Sequence, residues 1–258
     1  MARFDKLEFN PNREPDPDLN GPRHSNLDAV DWLKRADEHR RVGHYENALK
    51  YYSRALEEDK SIVDGWVGQV QMLIQLDEHP EADLWSRKAL ELFPSNGDLL
   101  AGRAQALCRM ADLKNAHAAC DGAIAQSGQS AYRWMVRGEI MVAGRQETDG
   151  YCFDKAQQMD SDWLVPLEIA LIYLYYRSWN KALLRARRAV EAATDCYYPW
   201  YVQGNCLFKL GLEEPARKSF RQCLELCPNH LDARGRLTEM EVGKWSVTQQ
   251  LRRWFRRS

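Results

Sequence analysis

The 258-residue chain lacks any long hydrophobic run. Its longest charge-free apolar stretch, Ile169 to Tyr176, falls far short of the roughly 20 residues a membrane-spanning helix needs. It also lacks an excess of either charge. The 36 Lys+Arg against 37 Asp+Glu leave a net charge of −1, which is not the balance of a generic nucleic-acid binder. Catalytic signatures are missing as well. There is no Gly-x-x-x-x-Gly-Lys-Ser/Thr, Gly-x-Gly-x-x-Gly, Gly-x-Ser-x-Gly, His-Glu-x-x-His or Cys-x-x-Cys. The six histidines are scattered. The expectation is a protein without catalytic activity and without a cofactor. Charges interrupt every apolar stretch from Met1 to Phe9, so no secretion signal is expected there. The cysteines number seven, an odd count that favours reduced thiols and a cytoplasmic setting. What is present is an ordinary composition, 45% hydrophobic and 28% charged, which excludes a collagen-like or wholly disordered chain.

Self-comparison reveals a repeat. Ala36, Ala48 and Ala55 are spaced 12 and 7 residues apart. The same spacing recurs in Val70, Ala82 and Ala89, in Ala104, Ala116 and Ala123, in Ala170, Ala182 and Ala189, and in Gly204, Ala216 and Cys223. Ala48, Ala82 and Ala116 lie 34 residues apart, as do Ala182 and Ala216. Small residues at such spacing suit two antiparallel helices whose axes approach closely, with large side chains filling the holes beside them. Pro94 and Pro228 close two units, and Gly43 and Gly211 stand at turns where positive φ is often needed. Trp32, Trp66, Trp134 and Trp200 occupy the fourth position of their units.

This pattern resembles the tetratricopeptide repeat family. The unit Tyr197 to His230 carries Trp200, Gly204, Leu207, Gly211, Ala216, Phe220 and Pro228. The unit Ala29 to Ile62 carries Trp32, Ala36, Gly43, Tyr45, Ala48, Tyr52 and Ala55. Six units are expected, at 29–62, 63–96, 97–130, 131–162, 163–196 and 197–230. The resemblance implies an all-α, right-handed α-solenoid of about six helical hairpins, ended by a capping helix over 231–243. The fourth unit is two residues short, with an atypical turn at Gly144-Arg145-Gln146. The fifth has Pro166 in the tryptophan place and Arg177 in the turn-glycine place, so irregular stacking is expected there.

Flanking segments differ from the array. Residues 1–28 hold Pro11, Pro15, Pro17 and Pro22 among acidic groups and read as a flexible arm, with Phe4 and Phe9 available to anchor it. Residues 244–258 carry five cations and no acid, leaving −6 on the rest of the chain. Val247, Leu251, Trp254 and Phe255 share helical spacing, so this tail reads as a basic amphipathic helix. Three roles are open to it: an end cap, an interfacial membrane contact, or a contact with an acidic partner or nucleic acid. Arg252, Arg253, Trp254, Phe255, Arg256 and Arg257 would carry that contact. Cys223, Cys227 and His230 are the nearest approach to a metal-ligand set, but Cys223 fills a small core position and no metal is expected.

In this family positions 2, 5, 9, 12 and 13 of each unit line the concave face. In the first three units those places are mixed and largely polar. In the last three they are apolar and aromatic, and the first helix of unit five is apolar on nearly every face. Either curvature closes the groove over these residues, or a bound peptide, another subunit or the chain's own arm covers them. The expected peptide contacts are Met135, Leu167, Leu171, Tyr175, Tyr201, Asn205, Phe208 and Lys209. The two-carboxylate clamp of some family members is absent, because Leu33, Asp37 and Gly68 stand where its polar residues would be. The expected function is a non-catalytic adaptor or scaffold that binds a protein segment, with self-association as a further option. The alternatives are a membrane-associated assembly factor held by the basic tail and an RNA-binding repeat. The groove positions offer only Arg40, Arg41, Arg109 and Lys209 as cations, few for RNA.

Overall fold

A computed structural model describes residues 27–241. The proline-containing arm and the basic tail, including Arg252, Arg253, Trp254, Phe255, Arg256 and Arg257, lie outside the described residues. Within them the chain is all-α. Helices pair into hairpins as α1 (Ala29–Arg41) with α2 (Tyr45–Glu58), α3 (Val63–Gln75) with α4 (His79–Leu92), and α5 (Gly97–Arg109) with α6 (Leu113–Ala125). Then come α7 (Ala131–Ala143), α8 (Asp149–Met159), α9 (Leu164–Tyr175), α10 (Trp179–Ala192), α11 (Tyr197–Lys209) and α12 (Glu213–Leu226). A thirteenth helix over residues 231–241 reaches the end of the described chain. Two compact units divide at Ile140 and Met141.

Helix starts and stops follow from local chemistry. Asp28 and Asp31 form a reciprocal cap on α1: the Asp31 N–H donates to Asp28 Oδ1 at 2.9 Å, and the Asp28 N–H to Asp31 Oδ2 at 3.3 Å. Asn96 accepts from the N–H groups of Asp98 and Leu99 at the head of α5. Each first helix ends on a residue in the left-handed region: Gly43, Asp77, Ala111, Arg145, Arg177 and Gly211, with φ between 55° and 77°. In each turn that residue's N–H returns to the carbonyl three back, and the next N–H to the carbonyl five before it, as His44 does to His39 at 2.9 Å. This closure satisfies carbonyls that a helix end leaves open. The register holds whether the residue is glycine or not, so backbone geometry, not residue type, is what repeats.

Between hairpins the position-four tryptophans fix the connecting loop. Trp66 Nε1 donates to the Lys60 carbonyl at 2.9 Å and Trp200 Nε1 to the Thr194 carbonyl at 3.0 Å, each reaching six residues back. Trp134 finds the Gln129 side chain instead, at 2.9 Å. Trp66 and Trp134 are thus buried and Trp200 half-buried, each with its single polar hydrogen satisfied.

In the N-terminal unit the core is built from the small-residue positions and the large side chains between them. Ala36, Ala48, Ala82, Ala89, Ala104, Ala116 and Ala123 have no exposed surface, and Tyr52, Leu56, Leu73 and Leu99 fill the gaps. Arg133 is buried under α6, donating to Asp98 at 2.8 Å and to the carbonyls of Ala123, Gln126 and Ser127. A cation there offsets the negative end of α6 and occupies carbonyls that the helix leaves without partners.

In the C-terminal unit the same arrangement continues with Ala170, Ala182, Ala189, Ala216 and Cys223. Gly204 permits the closest approach: a Cβ there would lie 2.6 Å from the Phe220 ring. The turn between α7 and α8 spans residues 144–148, longer than the three-residue turns of the other hairpins, and α8 has 11 residues where α10 and α12 have 14. The helix over 231–241 is secured by buried Ala233 and Met240 and by Arg217, whose Nη2 donates to the Met240 carbonyl at 2.7 Å.

Candidate functional site

The inner positions of the N-terminal unit are mixed in exposure, from exposed Val30, Asp37 and Asp64 to buried Gln71, Gln105 and Glu139. Position nine of successive units holds Asp37, Gln71, Gln105 and Glu139, each 34 residues after the last. Gln105 Nε2 donates to Glu139 Oε2 at 2.6 Å, and Arg109 Nε to Glu139 Oε1 at 2.7 Å. Arg109 Nη1 reaches the Ile74 carbonyl at 3.2 Å, and Tyr132 Oη donates to Gln105 Oε1 at 2.7 Å. Tyr52 Oη donates to Asp37, and burial raises its pKa well above the usual tyrosine value. The Arg109 and Glu139 side chains are only 3% and 0% exposed. Gln105 and Arg109 both satisfy Glu139 here, whereas Gln71 Oε1 is buried without a hydrogen-bond partner and Asp37 is exposed. Met135 belongs to this buried set, at 4% exposed, and is a core residue rather than a ligand contact.

The C-terminal unit differs. In α9, Val165, Pro166, Leu167, Ile169, Ala170, Ile172 and Tyr173 are buried. Leu167 is fully enclosed, so the expectation of a ligand contact at this position is corrected: its alkyl side chain completes the core. Leu171 and Leu174 are half-buried and Tyr175 is exposed. Helix α11, which touches α9, adds half-buried Tyr201, Asn205 and Phe208 and exposed Lys209.

Neighbouring groups orient these side chains. The Tyr201 ring lies 4.6 Å from the His230 ring and 6.2 Å from that of Phe220. Burial raises the Tyr201 pKa, opposed by a hydrogen bond with Asn205. Arg236, on the 231–241 helix, places its guanidinium 5.4 Å from the Phe208 ring centre, a cation–π contact. The result is an apolar-aromatic face, Leu171, Tyr175, Tyr201 and Phe208, with an amide at Asn205 and cations at Lys209 and Arg236 on its edge.

A cavity of about 490 Å³ opens at the turn end of the same unit, between Arg145, Gln146, Asp149, Tyr176, Ser178 and Lys181. Asp149 is 1% exposed and fully engaged, accepting from Tyr173 Oη at 2.5 Å and from Lys181 Nζ at 2.8 and 3.0 Å. This anchor and the Arg109–Glu139 pair are what a search for catalytic motifs misses. The 34-residue recurrence of polar position nine carried the signal for the second; the first joins side chains 24 and 32 residues apart on three helices and left no such signal.

Among the described residues no group of three His, Cys, Asp or Glu side chains is placed to hold a metal ion, and no helix is long and apolar enough to cross a membrane.

Models of the tetratricopeptide repeat match residues 33–97 and 197–230. No curated protein matches the chain. Among solved structures, a tetratricopeptide repeat protein from Parabacteroides merdae is 15% identical with a TM-score of 0.52, over 84% of this chain and 86% of that one. The thermophilic repeat protein TTC0263 from Thermus thermophilus is 14% identical with a TM-score of 0.50, over 83% and 99%. The Cut9–Hcn1 hetero-tetramer of the APC/C is 15% identical with a TM-score of 0.51 over 84% of this chain, which spans 44% of the matched chain's length. At these identities the structural likenesses establish fold. Together with the two repeat matches and the 34-residue register of turns and tryptophans, they establish that the chain belongs to the tetratricopeptide repeat family, whose members generally work through protein–protein interaction.

Proposed function

We propose that the chain is a non-catalytic adaptor or scaffold that holds a segment of a partner protein against the α9–α11 face. One observation carries this reading: Leu171, Tyr175, Tyr201 and Phe208 keep apolar and aromatic surface on two touching first helices, whereas Gln105 and Glu139 of the N-terminal unit are buried and bonded to each other. Aromatic anchors flanked by an amide and cations are the composition of a binding hot spot. The fitting partner is an extended or helical segment with a large apolar side chain and a nearby carboxylate. Asn205 would pair its backbone, and Lys209 with Arg236 would attract the carboxylate. The seven thiols suit work in the cytoplasm, where they stay reduced.

The test is an affinity capture from native lysate, comparing the wild type with the Leu171→Glu/Tyr201→Glu variant after circular dichroism has established equal helicity. Partners lost from the variant support the face as the working surface. Identical partner sets would reject it.

A further inference from the structure

All seven cysteines are thiols, and three gather at one end of the sixth hairpin. Cys196 is the N-cap of α11, and Cys227 is the C-cap of α12. The two helices pack as an antiparallel pair, so the head of one lies beside the tail of the other. Two contacts fix that juxtaposition. The ring of Tyr197, the residue after Cys196, meets the His230 ring edge-on at 5.5 Å, and the His230 N–H donates to the Cys227 carbonyl at 3.1 Å. The Cys227 N–H in turn donates to the Cys223 carbonyl at 2.8 Å.

Both neighbouring thiols act on Cys223. Cys223 is pushed up to about 12, first by burial and then by Cys227 and Cys196. Tyr197 is pushed up to about 12 as well, by burial and then by the same three cysteines. Their accessibility differs: Cys223 has no exposed surface, while Cys196 and Cys227 are half-buried and within reach of a small oxidant.

We propose that Cys196 and Cys227 form a redox pair that closes to a disulfide across the open end of the sixth hairpin when a peroxide oxidises one of them. The thiolate of one attacks a peroxide oxygen and becomes a sulfenic acid; the departing hydroxide takes a proton and leaves as water. The thiol of the other then attacks that sulfur, and the hydroxyl leaves as a second water. Two thiols and one hydrogen peroxide give one disulfide and two waters, the two electrons passing from sulfur to the cleaved O–O bond. Cys223 stays out, because it is enclosed and protonated at neutral pH. The pairing requires no metal and does not depend on which partner the protein binds. Its position gives it consequence: His230, tied to Cys227, also lies against Tyr201.

The test treats the full-length protein with hydrogen peroxide and maps the product by intact mass and non-reducing peptide mass spectrometry. The expected result is loss of two hydrogen atoms, a crosslinked peptide joining Cys196 to Cys227, and reversal by dithiothreitol. Cys196→Ser and Cys227→Ser each prevent the crosslink, whereas Cys223→Ser leaves it. Hydrogen exchange at the ends of α11 and α12 should slow on oxidation and recover on reduction. An unchanged wild-type mass overturns the proposal. So does a crosslink through Cys223 or between two chains. The wild-type map decides the matter even where a serine variant folds poorly.

Discussion

Arg109 and Glu139 meet across a separation of 30 residues, Nε to Oε1 at 2.7 Å, with almost no access to water. Taking two charges out of solvent is costly, and the pair is tolerated because each group is satisfied twice: Glu139 also accepts from Gln105, and Arg109 also donates to Ile74. Removing one partner leaves a buried charge alone. Glu139→Ala and Arg109→Ala should each cost about 3–5 kcal/mol. The Arg109→Met/Glu139→Leu double variant should lose less than either single change, because no orphan charge remains. Chemical denaturation of the three variants checks the order. A double variant as unstable as the sum of the singles would show that packing, not charge pairing, governs the site.

The repeated left-handed turn gives a cleaner backbone test. Nothing lies within 4 Å of a Cβ built on Gly211, so Gly211→Ala is penalised only by its φ of +72° and should cost about 1 kcal/mol. Gly122, inside α6, is equally uncrowded but has ordinary helical geometry. Gly122→Ala should therefore stabilise by about 0.5–1 kcal/mol. Thermal melts of the two single variants should move in opposite directions.

Much of the architecture was legible in the sequence because the determinant is a close approach that only small residues allow. Ala48, Ala82, Ala116, Ala182 and Ala216 mark the hairpin seams, and all five are fully buried. Arg177 in the place of a turn glycine looked like a departure, yet its φ of +58° preserves the turn, since two backbone hydrogen bonds outweigh a modest steric cost. The inner face was harder to read. Position alone does not tell a groove from a core. Met135 and Leu167 occupy nominal groove places and are buried, because the depth of a position depends on how tightly neighbouring first helices approach. Asp149 was invisible for another reason: its partners Tyr173 and Lys181 lie 24 and 32 residues away, on different helices.

Acid should weaken the N-terminal unit. His79 is held below its ordinary 6.5, first by burial and then by the Arg109 charge; His39 is lowered by burial and then by His44. Both are therefore neutral in the folded state at pH values where the unfolded chain takes up protons. Stability is fully present above 6.5 and is lost as pH falls through the lowered folded values. Melting temperature should drop as pH falls below 6.5, and the His39→Gln/His79→Gln variant should show a flatter profile. An equal slope in the variant would assign the acid sensitivity to carboxylates instead.

Stability and binding should separate along α9 and α11. Leu167 is enclosed, so Leu167→Ala should cost about 2–5 kcal/mol of stability through the cavity it leaves. The fraction that remains folded should bind the captured partner with unchanged affinity. Phe208 is half-buried, with Arg236 over its ring, so Phe208→Ala should lower the melting temperature much less than Leu167→Ala does. It should instead weaken binding by about 2 kcal/mol, roughly 30-fold, as the loss of an aromatic anchor does. Lys209 is exposed on the edge, where a charge chiefly governs encounter. Lys209→Glu should slow association and reduce its dependence on salt, with little change in dissociation. Titration calorimetry gives the affinities, and surface-immobilised kinetics at two salt concentrations separate the two rates. If Leu167→Ala and Phe208→Ala exchange their effects, the exposed face is not the one that meets the partner, because a ligand that presses on a residue must first be able to reach it.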